Sequence, residues 1–113
     1  MSIRSQRVAS SIQRLVQQAI GKGLADPRIR GLITVTNVDV DDDLRNANIR
    51  ISVMPHEHGE LTLHGLKAAA RHIRHTIADD LVLPQTPLLH FKLDTGAAKQ
   101  ADIFSALAQV RNE

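Results

Sequence analysis

The 113-residue chain contains no cysteine, no tryptophan and no tyrosine, and its only aromatic side chains besides histidine are Phe91 and Phe104. Without thiols there is no disulfide framework, no thiolate metal site and no cysteine nucleophile, which fits a cytoplasmic protein. Without an aromatic platform, single-stranded nucleic acid cannot be read by stacking bases on side chains. No run approaches the ~20 apolar residues of a membrane span. The first fourteen residues are polar and Arg-bearing and have no apolar signal core, so the chain is expected to be neither exported nor inserted. A Gly-x-Ser-x-Gly elbow, a phosphate-binding Gly-rich loop and a dinucleotide fingerprint are all missing, and an enzymatic reading has little to rest on.

What is present is globular. Hydrophobic residues make up 42% and charged residues 23%, and the length suits one domain, 1–113, around one core. The formal net charge of +2 hides an asymmetry. Residues 1–30 carry Arg4, Arg7, Arg14, Lys22, Arg28 and Arg30 against Asp26 alone, whereas residues 31–62 carry Arg45 and Arg50 against six carboxylates. Such a split points to one face for a polyanion and another that is solvated or faces a partner.

From Ser5 to about Ile20, Val8, Ile12, Leu15, Val16 and Ala19 recur at helical spacing, and Gly21, Gly23 and Pro27 follow. At 100° per residue, Arg4, Arg7, Ser11, Arg14, Gln18 and Lys22 form a basic ridge beside that apolar stripe. Leu32 to Val40 and Ala47 to Val53 read as strands, and the short acidic turn between them makes an antiparallel hairpin. A second helix is expected from near Glu60 to Leu81, with Leu63, Leu66, Ala70, Ile73 and Ile77 buried and Lys67, Arg71 and Arg74 beside them. Pro84 and Pro87 stop it, Leu88 to Asp94 forms a third strand, and Asp102 to Val110 a short last helix. The order α-β-β-α-β-α with three strands implies a two-layer α+β sandwich, helices on one sheet face. The two long helices would then be neighbours and their basic ridges could merge into one surface.

Three clusters bear on chemistry. His56-Glu57-His58 with His64 has ligand-type side chains, and alternation in an extended segment would aim two imidazoles the same way. A metal-dependent hydrolase is one alternative, but a solvated strand-to-helix connection is the plainer reading. Asp41, Asp42 and Asp43 lack the spacing and the glycine of a calcium loop and read as turn residues, or, in a second alternative, as a protein-interaction hairpin. His72 and His75 read as surface histidines. The basic ridges are the remaining signal, and ten Arg against four Lys favours phosphate, which the guanidinium fork matches bidentately.

Several segments together carry a family resemblance. Arg7-Val8-Ala9, then Ile12, Leu15, Ile20 and Asp26-Pro27-Arg28; Ile33 through Val40, Asp43-Leu44 and Ala47 through Val53; Gly65-Leu66-Lys67-Ala68-Ala69, Ile73-Arg74 and Pro87 through Asp94 resemble bacterial ribosome-binding factor A over roughly residues 5–107. The resemblance implies a type II KH-like domain that binds 16S ribosomal RNA on the free 30S subunit and assists its late maturation without catalysis. In that family an Ala-x-Gly kink replaces the KH Gly-x-x-Gly loop. Here Ala69-Ala70-Arg71 stands at that place, so the helix is expected to be less kinked or continuous.

The expected phosphate contacts are Arg4, Arg7, Arg14, Lys22, Arg28, Arg30, Lys67, Arg71 and Arg74. No cofactor, metal, membrane or small-molecule substrate is implied, and the chain is taken as a monomer. Arg14→Glu with Arg74→Glu is expected to weaken binding to immature subunits and to leave the thermal midpoint nearly unchanged.

Overall fold

The computed structural model describes residues 2–94. The order is α1 (Ile3–Gly21), β1 (Leu32–Val40), β2 (Asn46–Met54), a short 3-10 turn (His56–His58), α2 (Gly59–Leu81) and β3 (Leu88–Leu93). The expected last helix, Asp102 to Val110, lies outside the described residues. β2 is central in the sheet order β1-β2-β3, pairing antiparallel with β1 and parallel with β3. α1 packs on β1, α2 packs on β3, and the helices touch each other. This is the expected two-layer α+β sandwich, consistent with the KH-like fold.

The apolar residues of β1 change parity between Val35 and Val38, so no regular strand could bury both halves. The register resolves this: Val35 pairs with Ile51 and Asn37 with Arg50, leaving Thr36 as the extra residue of a β-bulge. Ile33, Val35, Val38 and Val40 are therefore all buried. They meet Ile12 and Val16 of α1, Ile49 and Ile51 of β2 and Leu66, Ile73 and Ile77 of α2 in one core cluster. Truncating Leu66 or any of these isoleucines to alanine costs about 2–5 kcal/mol.

The start of α1 is fixed by capping. The Ser2 hydroxyl accepts from the Ser5 amide at 3.0 Å, and Asp42 of the β1–β2 turn accepts from the Ser2 amide at 3.1 Å. An Asp carboxylate beside the positive end of a helix is stabilising. α2 runs unbroken from Gly59 to Leu81 through Ala69-Ala70-Arg71, as expected where arginine replaces a helix-relaxing glycine. It ends on Val82 in the left-handed region, φ 49° and ψ 52°. No helix among the described residues is long and apolar enough to cross a membrane.

Candidate nucleic-acid interface

The helical layer positions the basic side chains. Arg4, near the start of α1, shares a cleft with Leu83 and Pro84 beyond the end of α2. Leu24 to Arg28, after α1, lie against Ala69 and His72 in the middle of α2. The helices therefore run in roughly opposite directions.

Each helix has two flanks. On α1, Gln13 and Gln17 face the outer edge of β1: the Val35 amide donates to Gln17 Oε1 at 2.7 Å, Gln17 Nε2 donates to the Ile33 carbonyl at 3.1 Å and Gln13 Nε2 to the Val35 carbonyl at 3.2 Å. By helical geometry Arg4, Arg7, Arg14 and Lys22 occupy the opposite flank, toward α2. On α2, Thr62, Gly65, Ala69 and His72 face α1 and the segment after it. Lys67, Arg71 and Arg74 occupy the other flank, and Arg71 and Arg74 line a cleft with Leu88, Leu89 and His90 of β3. The two ridges share the helical layer but do not merge. The crest of α2 stands between them, about 10 Å wide, which corrects the expectation of one continuous ridge.

The nine cations differ in how they are held. Arg4, Arg7, Arg14, Lys22, Lys67 and Arg71 are exposed and, among the described residues, form neither an ion pair within 4.0 Å nor a side-chain hydrogen bond. Arg30 is exposed, with its Nε donating to the Pro27 carbonyl at 2.9 Å. Arg28 is paired with Asp26, Nη2 to Oδ2 at 2.6 Å and Nε to Oδ1 at 3.0 Å. Arg74 is spent on the backbone: Nε and Nη2 donate to the Thr86 carbonyl at 2.9 and 2.6 Å, and Nε to the Pro87 carbonyl at 3.2 Å. It ties α2 to the start of β3, so reversing its charge would disturb the fold. The expectation that Arg14→Glu with Arg74→Glu leaves the thermal midpoint unchanged is revised on that account.

The segment Asp26 to Arg30 is a built element. Asp26 Oδ1 accepts from the Arg28 amide at 2.9 Å, an Asx turn. The hydrogen bonds from the Arg28 guanidinium and amide, with its positive charge, hold the Asp26 carboxyl at about 2. Thr62, wholly buried, donates to the Arg30 carbonyl at 3.0 Å and accepts from the Arg30 amide at 3.3 Å. A Cβ on Gly65 would stand 2.6 Å from Ile29 Cγ1, so only glycine admits this approach. Thr62 goes unremarked in the sequence, and Gly65 enters there only as part of the segment that carries the family resemblance. A polar and a small residue at positions flanking the apolar stripe were the only signal.

The alternative clusters are taken up locally. Asp42 holds the start of α1, and Asp43 accepts from the Arg45 amide at 3.1 Å. His56 to His58 form a 3-10 turn, not the extended segment assumed above. Among the described residues no three His, Asp or Glu side chains come together as a metal site.

Comparison with known proteins bears on identity. The family model described as "Ribosome-binding factor A" matches residues 4–107. A ribosome-binding factor A of Gemmatimonas aurantiaca is 37% identical over 111 residues, 97% of this chain and 76% of the relative. The solution structure of a Thermotoga maritima protein, a putative ribosome binding factor A, superposes with TM-score 0.70 at 31% identity over 85% of this chain and 92% of that one. A homology model of Thermus thermophilus ribosome binding factor A, as fitted into a cryo-EM map of a 30S complex, has the same fold, with TM-score 0.59 at 21% identity over 84% of this chain and 96% of that one. A family match over residues 4–107, with 37% identity along 97% of the chain, places the chain in the ribosome-binding factor A family.

Proposed function

We propose that this protein is a non-catalytic, cytoplasmic assembly factor that binds 16S ribosomal RNA on the free 30S subunit late in its maturation. The carrying observation is the set of unneutralised cations on the helical layer: Arg4, Arg7, Arg14 and Lys22 along α1, and Lys67 and Arg71 along α2. Six exposed cations without a carboxylate partner among the described residues leave that layer suited to a phosphodiester backbone. Family membership supports the ribosome as the site, and a Thermus thermophilus relative has been fitted into a map of its 30S complex. Arg28 and Arg30 lie at the same end of α1 and extend the footprint, Arg28 presenting the part of its fork that Asp26 leaves open. Arg74 positions the neighbouring cleft and contributes charge from behind it. The scarcity of aromatic side chains makes phosphate and shape the readout.

The mechanism is occupancy. Binding one conformer of immature RNA better than another shifts the population toward it by the difference in affinity, and maturation abolishes that difference and releases the factor. No bond is made or broken. Co-sedimentation with separated 30S, 50S and 70S particles tests the reading: the protein travels with free 30S subunits at low salt and leaves them as salt rises. Equal partition among all three particles, or none at any salt, would refute it.

A further inference from the structure

The face of the sheet turned away from the helices is uncovered by any described element, and two cations stand side by side on it. Arg50 of β2 and Lys92 of β3 are register partners, both exposed. Among the described residues neither forms an ion pair within 4.0 Å or a side-chain hydrogen bond. His90 stands one position along on the same face of β3, its Nε2 2.8 Å from Asn46 Oδ1. Of the two carboxylates at this face among the described residues, Asp39 of β1 accepts from the side-chain Nδ2 of Asn37 at 3.1 Å, and Asp94 stands just past the end of β3, its backbone amide donating to the Ile51 carbonyl at 2.7 Å. Adjacent strands are about 4.8 Å apart, so two like charges side by side gain nothing for the fold and repel each other, though weakly at an exposed site.

We propose that this sheet face is a second phosphate-binding site, centred on Arg50 and Lys92, and that the protein lies between two RNA segments. The proposal rests on the reading of the protein as an RNA-binding factor. Around the two cations the face carries hydroxyl groups, Thr34 and Ser52, of the kind that accompany Arg and Lys at phosphates and sugars. An acidic polypeptide is the poorer fit, because the exposed apolar side chains of this face among the described residues, Leu88 at one end and Leu32 and Met54 at the other, stand away from the cations and form no central anchor of the kind that dominates protein interfaces. Leu32 and Met54 pair at the far end of the strands. The helical ridges and the sheet face are on opposite sides of the two layers, roughly 20 Å apart with a helix diameter and a layer spacing of about 10 Å each. One backbone segment lying along α1 does not reach both.

The test compares Arg50→Gln/Lys92→Gln with Arg7→Gln/Arg14→Gln, measuring affinity against salt for immature 30S subunits and for protein-free RNA extracted from them. Loss of two phosphate contacts lowers the slope of log affinity against log salt by about 1.4 to 1.8. The proposal expects that loss for each pair on both probes, the sheet-face variant keeping or slightly raising its thermal midpoint. Full retention by the sheet-face variant, with loss only in the α1 variant, overturns the second site and leaves the proposed function standing. Loss on subunits but not on protein-free RNA assigns the face to a protein and also overturns it. A lowered midpoint accompanying the loss would mark a structural role. If the unaltered protein shows no salt slope, the underlying RNA-binding reading itself falls.

Discussion

Arg28 and Arg74 show how little a charge reveals about its task. Arg74 donates to two carbonyls in the approach to β3, and hydrogen bonds involving a charged group contribute about 1.5–3 kcal/mol. Arg74→Gln should therefore lower stability by roughly 1–2 kcal/mol in urea unfolding, more than any of the unpaired cations would when changed to glutamine. Asp26 gives a pH signature. Its carboxyl is held at about 2, below the ordinary aspartate value of about 3.9. The folded state thus prefers the ionised form, and the stabilisation is present above about pH 4 and fades as pH falls toward 2. Thermal midpoints of the protein and of Asp26→Asn should differ at neutral pH and converge across that window; a gap that stays constant would remove the ion pair as its cause. Val82, exposed and left-handed at the end of α2, bears a β-branched side chain where glycine is favoured. Val82→Gly should raise stability by about 1 kcal/mol in the same urea experiment.

Elements were legible wherever burial alone decides a position. Val8, Ile12, Leu15, Val16 and Ala19 marked the inner face of α1, whereas reading Leu32 to Val40 as a regularly alternating strand passed over the parity change between Val35 and Val38 where the bulge lies. Positions whose role depends on a distant segment were not. Gln13 and Gln17 look like solvated helix residues, yet they close the outer edge of β1 by standing in for a neighbouring strand. Gln17→Ala should cost about 1–2 kcal/mol and expose an edge that favours self-association, which sedimentation velocity would register as concentration-dependent growth. Gly65 entered only through the family resemblance, because glycine inside a helical pattern carries no hydrophobic signal; its packing role comes from Ile29, thirty-six residues earlier. Alanine there gains about 1 kcal/mol of helix propensity but inserts a methyl group into a filled space, which typically costs 1–3 kcal/mol. Gly65→Ala should consequently be destabilising or neutral, and should shift the Arg28 and Arg30 amide resonances that report the position of that segment.

Across the whole molecule, the charge asymmetry of the sequence survives folding in altered form. Basic side chains from α1 and α2 reach one layer, but as two rows separated by a helical crest. Within the acidic turn Asp42 caps α1, while Asp41, Asp42 and Asp43 all remain exposed. Sequence could place each row on its helix, since 100° per residue needs no tertiary information. It could not say which flank of α2 faces α1, because that is set by Thr62 and Gly65 meeting Asp26 to Arg30. The proposed RNA binding therefore depends on exposed cations along α1 that have no ion-pair partner among the described residues, and these can be reversed without touching the core. The decisive measurement is the affinity of Arg7→Glu/Arg14→Glu for purified immature 30S subunits, taken with its thermal midpoint. Weakened binding of at least tenfold, a shallower salt dependence and a midpoint within a few degrees of the unaltered protein are expected, since ordinary surface substitutions change stability by only about 0.5 kcal/mol. Undiminished affinity in a folded variant would contradict the claim that the helical layer meets the RNA.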